Sequence, residues 1–282
     1  MAARSGLLLL EHLNFNVPNY PAAAAFFQAL GCQQAARSIH QNCGPHTQFH
    51  LPETPPAQVW RGIVTIAYSP EGLTRTQAGL QQYQIVNPEV SSTPSPAGGL
   101  EVQSPWGQFR LREGSATEHE MAAVPTKRSH TEETMTAGVL GIVEVELPVA
   151  RGAAGKVAEF YASVFGFAAD VSEGAAVIAG GPVQGSQRIV FREQDNVPQY
   201  NGDHLCIYIG GFESCFSNCA AQDLLYVNPR FTHLDNSRTL EEAREWQAFR
   251  ILALPDGVVQ EEHEIRSSAH QFCPIDFRGA SL

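Results

Sequence analysis

The feature that most constrains this chain is a repeat. Near its start, Glu11-His12-Leu13-Asn14-Phe15-Asn16-Val17-Pro18 alternates polar and apolar residues up to a proline stop, the pattern of a half-buried strand. At mid-chain, Gly141-Ile142-Val143-Glu144-Val145-Glu146-Leu147-Pro148 does the same. Each run leads into a short helical pattern with paired aromatics and a glycine stop. These are Phe26-Phe27-Gln28-Ala29-Leu30-Gly31 and Phe160-Tyr161-Ala162-Ser163-Val164-Phe165-Gly166. Asn19 is placed to cap the first helix, with Pro21 in its opening turn. Each half closes on a turn that feeds a last strand, Ser104-Pro105-Trp106-Gly107 in the first and Pro255-Asp256-Gly257 in the second. Two copies imply a pseudo-symmetric pair of modules rather than a solenoid.

The 282 residues suit two units of this size. Between the copies, Gly114 to Gly138 is polar, mixed in charge and free of apolar periodicity, which reads as a linker. The organisation expected is a first module over 1–115, a linker over 116–137 and a second module with a C-terminal tail over 138–282. The chain carries 18 basic against 29 acidic residues, a net charge of -11. Without basic runs it is a poor match to nucleic acid or an anionic membrane. The apolar run Gly6 to Leu10 is too short to span a bilayer and continues into the first strand. The six cysteines show no CxxC pair and read as reduced thiols, in keeping with a soluble cytoplasmic protein. Monomer and homodimer are both compatible with two modules in one chain.

Chemistry concentrates late. Glu261-Glu262-His263-Glu264 places three carboxylates and a histidine in consecutive strand positions. Alternation sends Glu261 and His263 to one face and Glu262 and Glu264 to the other. Buried charges need partners or a metal, whereas a solvated edge strand carries them freely. Glu144 and Glu146 share one face of their strand and, if inward, need an arginine such as Arg192 or Arg250, or a metal. His12, Asn14 and Asn16 share the matching face of the first copy and suggest a wetted cavity. His50 can line the same cavity or be a satisfied structural histidine. Arg110 and Arg112 can hold an anion or lie on the surface. Cys206 has no activating neighbour and reads as core. No P-loop, dinucleotide glycine fingerprint or nucleophile elbow is present.

In this order, and twice, the strand ending in proline, the helix with Phe-Phe or Phe-Tyr before glycine, and the closing Pro-x-Gly turn resemble the vicinal oxygen chelate superfamily. That group contains glyoxalase I, bleomycin-resistance proteins and type I extradiol dioxygenases. The resemblance implies an α+β fold of two tandem βαβββ modules whose mixed sheets curl around a cup. It places metal ligands on the first and last strands of a module, with a histidine opening the middle strand in the dioxygenase branch. Carried over by position, His12 matches in copy one, but Leu111, four after Gly107, cannot ligate. In copy two Ile142 cannot ligate, His204 matches, and Glu261, four after Gly257, matches with His263 on its face. A bulge would put Glu262 in place of Glu261. The implied metal set is His204, Glu261, Glu144 and His263, with Glu144 alternatively the general base. Substrate contacts fall to His12, Asn14, Asn16, His50 and Arg110. The implied activity is that of a dioxygenase or lyase/isomerase using a divalent Fe, Mn, Ni or Zn ion on a small oxygen-rich molecule. The alternative is a metal-free small-molecule binding protein of the bleomycin-resistance type. A third is a scaffold with no site.

Overall fold

The computed structural model describes residues 6–35, 39–128, 138–231, 237–253 and 260–277. The Pro255-Asp256-Gly257 turn and His130 lie outside them. The chain builds the unit strand–helix–strands four times, twice in each half. The first is β1 (Gly6–Asn14), α1 (Tyr20–Ala29), β2 (Gln33–Gln34), β3 (His40–Cys43) and β4 (Thr47–His50). The second is β5 (Ile63–Tyr68), α2 (Pro70–Val86), β6 (Ser91–Pro94), β7 (Leu100–Ser104) and β8 (Gly107–Glu113). After α3 (Ala116–Ala123) comes the third: β9 (Val139–Ala150), α4 (Ala154–Val164), β10 (Ala169–Ser172), β11 (Ala175–Gly180) and β12 (Gln187–Gln194). The fourth is β13 (His204–Gly210), α5 (Phe212–Ala221), α6 (Leu240–Trp246), β14 (Ala248–Ala253) and β15 (Gln260–Ser267). Each expected βαβββ module is thus a pair of such units, in an α+β fold with two mixed sheets.

The units do not stay within their halves. One seven-stranded sheet runs β14-β15-β13-β1-β4-β3-β2, and one eight-stranded sheet runs β10-β11-β12-β9-β5-β8-β7-β6. Each sheet therefore joins one unit from the first half to one from the second. In both, an antiparallel pair (β1 with β13, β9 with β5) sits at the centre. Each central strand carries a parallel neighbour (β4, β15, β12, β8). The strand register aligns one row across each centre. In the first sheet it reads Gln48-His12-Cys206-Glu264. In the second it reads Arg188-Glu144-Thr65-Arg110.

The helices pack their aromatic faces on the backs of the sheets. Phe26 and Phe27 of α1 stack into a cluster with Phe49, Trp106 and Phe109, and Tyr161 of α4 does so with Phe165, Phe167 and Phe191. Such pairs contribute roughly 0.5–1.5 kcal/mol each beyond burial. Asn19 caps α1 by accepting from the Ala22 N–H, with Pro21 in the first turn. Where the two sheets meet, Gly44 adopts a positive φ of 74°, and a Cβ there would come within 2.6 Å of the Leu140 carbonyl oxygen in β9. Only glycine fits that approach.

Part of the expected linker is helical. The Ser115–Glu118 capping box starts α3, and Met121 buries against β9. A helix this short and polar has little apolar periodicity to read. Trp246 ends α6. All six cysteines are buried and unbonded to one another. No described helix is long and apolar enough to cross a membrane.

Candidate functional site

The concave face of the seven-stranded sheet holds His12, His204 and Glu264. Their ligating atoms all lie within 4.8 Å of one another. Glu264 Oε2 stands 3.4 Å from His204 Nε2 and 3.8 Å from His12 Nε2. The three come from β1, β13 and β15, adjacent strands at the sheet centre. Parallel pairing of β13 with β15 sets Glu262 beside His204 and Glu264 beside Cys206, so Glu262 and Glu264 face the cup.

Two features prepare these side chains. A bulge in β1 between Leu10 and His12 breaks the alternation, and Glu11 swings to the His12 side. Its Oε2 accepts from His12 Nδ1 at 2.5 Å. A proton held on Nδ1 leaves the Nε2 lone pair directed toward Glu264. Arg128 in turn pairs with the other oxygen of Glu11. Glu264 is clamped by Arg250 at 2.6 Å and by Arg266. Burial alone would raise its pKa, but Arg266 and Arg250 outweigh it and hold the carboxyl well below the ordinary range. Burial pushes His204 down to about 4, against a partial lift from Glu264. The imidazole is therefore neutral at pH 7. Neither ring nitrogen of His204 makes a hydrogen bond of good geometry among the described residues.

His50 stacks on His12 with ring centroids 3.7 Å apart, and His40 stacks on His50 at the same distance. Burial, then His12 and His40, hold His50 well below its usual value. A cavity of about 840 Å³ opens over this face, with His12, Asn14, His50, Arg250 and Glu264 in its wall.

The structure separates the residues that the sequence grouped. His12, Asn14 and His50 line the cavity, and His204 joins His12 and Glu264 beside it. The expected metal set does not assemble, because three of its members lie elsewhere. Glu261 points behind the sheet, where Arg61 binds it at 2.5 Å and Asp203 at 2.8 Å. His263 shares that face and pairs with the Tyr161 hydroxyl in the core. Glu144 belongs to the other sheet, 2.5 Å from Arg188. Arg110 lies there too, with Glu101 at 2.9 Å and Glu144 at 3.6 Å, so it is not at the cavity. Asn16 bonds the Pro56 carbonyl and Arg230 and stays outside the cavity wall. Glu262, the bulge alternative, is taken by Tyr200, Asn228 and Arg250 at 2.6 to 2.8 Å.

The residues missed are Glu11, Arg250, Glu264 and Arg266. Counting four from Gly257 sets the last-strand position one pleat face away from the observed one. Glu11 interrupts the buried run Gly6 to Leu13, and a carboxylate inside an apolar strand was a signal available in the sequence.

No protein-family model matches the sequence, and no curated protein is similar to it. Solved structures do match its fold. A proposed dioxygenase from Bacillus subtilis superposes with a TM-score of 0.54 at 12% identity, over 94% of this chain and 87% of that one. Glyoxalase I from Zea mays superposes with a TM-score of 0.55 at 11% identity, over 94% of this chain and 93% of that one. The chain has the paired-module fold of the vicinal oxygen chelate superfamily. At these identities the likeness is one of fold.

Proposed function

We propose that this protein is a divalent-metal enzyme whose ion is held by His12, His204 and Glu264, acting on a small molecule with adjacent oxygens. The observation that carries the reading is the convergence of two buried histidines and one ionised carboxylate, their ligating atoms within 4.8 Å of one another, beside the cavity. That donor set suits Fe(II) or Mn(II) with positions left open, as in oxygenases of the two-histidine, one-carboxylate kind. It favours a dioxygenase-type reaction over a lyase or isomerase. A bound ion would polarise vicinal substrate oxygens and lower their pKa.

The remaining residues prepare the site. Glu11 keeps the proton of His12 on Nδ1. Arg250 and Arg266 keep Glu264 ionised. His50 stacked on His12 fixes its ring plane. Asn14, in register with His204, lines the cavity beside it. The sheet below and Phe231 at the edge of His204 limit water on that side.

One observation favours the metal-free alternative, a small-molecule binding protein. Arg250 and Arg266 already engage both oxygens of Glu264, a pairing that satisfies a buried carboxylate without an ion. The two readings separate on activity. Protein loaded anaerobically with Fe(II) or Mn(II) should consume oxygen with a catechol, and the His204→Ala variant should not. Oxygen uptake absent from every metal form, together with catechol binding unchanged by metal, would leave the binding-protein reading in place.

A further inference from the structure

The cavity is unlike the rest of the molecule in charge and in polarity. The chain carries a net charge of -11, yet the cavity wall holds four basic side chains, Lys127, Arg128, Arg250 and Arg266, against three acidic ones. Arg250 and Arg266 are committed to Glu264. Among the described residues, Arg128 pairs through one terminal nitrogen. Its Nη2 pairs with Glu11, while Nη1 is buried with no hydrogen-bond partner among the described residues. Leaving a guanidinium N–H unpaired out of water is costly unless a ligand completes it. On the same wall, Asn14 Oδ1 is likewise buried without a partner among the described residues, in register with His204.

The exposed part of the wall carries large apolar side chains beside Lys127, Glu245 and Gln271. Of the eight large hydrophobic side chains exposed among the described residues, three, Ile39, Trp246 and Phe272, line this one cavity. They come from three separate segments, so their gathering is a property of the fold. A purely polar ligand such as a free sugar acid would gain nothing from those apolar side chains. An uncharged apolar one would leave Arg128 unsatisfied.

We infer that the ligand is a small aromatic carboxylate: its carboxylate is taken by Arg128, its ring lies along those apolar side chains, and its hydroxyls reach Asn14 and the His12–His204–Glu264 cluster. The carboxylate anchor rests on the placement of Arg128 and not on a bound ion. The hydroxyl end rests on the function proposed above.

The test measures a preference. Calorimetric titration with 3,4-dihydroxybenzoate and with its uncharged isostere 3,4-dihydroxybenzamide is run on wild-type protein, Arg128→Met and Arg128→Lys. Wild type should bind the acid about tenfold or more tightly than the amide, the value of a charge-assisted hydrogen bond. Arg128→Met should bring the ratio close to one, and Arg128→Lys should keep an intermediate ratio, since it retains charge but not the planar fork. The ratio cancels any general loss of affinity from disturbed packing around Glu11. Equal affinities in wild type, a ratio unmoved in Arg128→Met, or no binding of either compound would overturn the inference. An acid preference that persists after chelation and vanishes in Arg128→Met supports the anchor even if the protein proves to hold no metal, so the two ideas fail separately.

Discussion

The two sheets carry the same strand plan and opposite chemistry. Across the centre of the first runs Gln48-His12-Cys206-Glu264, and across the second runs Arg188-Glu144-Thr65-Arg110. In the first row the acid sits at the edge of a group of imidazoles, its counter-charges Arg250 and Arg266 at the side. In the second the acid sits in the middle, with Arg188 and Arg110 of the same row closing on it. Burial differs as well: Arg250 is 1% exposed and Arg188 50% exposed. The lesson is that a repeat conserves the backbone frame and not the site. One face gathers histidines and a clamped carboxylate beside a cavity, and the other closes its arginines on Glu144.

That contrast can be broken by experiment, beginning with charge. Arg250→Met strands Glu262 and Glu264 without their shared guanidinium and should cost about 3–5 kcal/mol in urea unfolding, as for a broken buried pair. A loss under about 1 kcal/mol would mean that the first sheet's ion pairs are as solvated as the second's.

Acid should also act on the first face. His204, depressed by burial to about 4, stays neutral in the fold, while the unfolded chain protonates it below its ordinary value near 6.5. The unfolded state then binds more protons, so stability is fully present above pH 6.5 and is lost as pH falls toward 4. For metal-stripped protein the share due to His204 should be about 3 kcal/mol between those limits, with His263, likewise held near 4 by burial, adding to the total, read from unfolding midpoints. His204→Asn should make this slope shallower by its own share, and a slope unchanged by the substitution would contradict the assignment. The second row has no histidine to contribute in this window.

Smaller again is the effect expected at Glu11. Glu11→Gln keeps the shape but weakens the acceptor at His12 Nδ1, and should reduce metal affinity about 10- to 100-fold, the range for partners that orient a ligating histidine. Competition against a chromophoric chelator gives that number directly. Least is expected from the second sheet. Glu144→Gln or Arg188→Met should change stability by less than about 1 kcal/mol, because the pair is half open to water. A larger loss would show that this row also does structural work.

Much of the frame was legible. Proline-ended strands, paired aromatics before glycine and polar alternation carry the plan of the fold in local pattern, where sequence speaks most clearly. Which unit pairs with which was not, since the cross-half sheets depend on contacts far apart along the chain. His204 was singled out by its place at the opening of a strand and His12 by its face, and the structure sets both within one candidate cluster with Glu264. The error lay in the last strand. Period-two alternation names two faces and does not say which is inward. That choice is fixed by pairing with β13 and by Arg250 reaching across from β14, neither visible locally. Glu144 was drawn in because copy two was expected to hold a complete site of its own, whereas the candidate cluster takes His12 from one half and His204 and Glu264 from the other.

The measurement that tests this account most directly is metal content by mass spectrometry after Fe(II) or Mn(II) loading and desalting, for wild type, Glu264→Gln and Glu144→Gln side by side. The account predicts close to one ion per chain in wild type and in Glu144→Gln, and loss of the ion in Glu264→Gln. An ion retained by Glu264→Gln, or none in wild type, would contradict it.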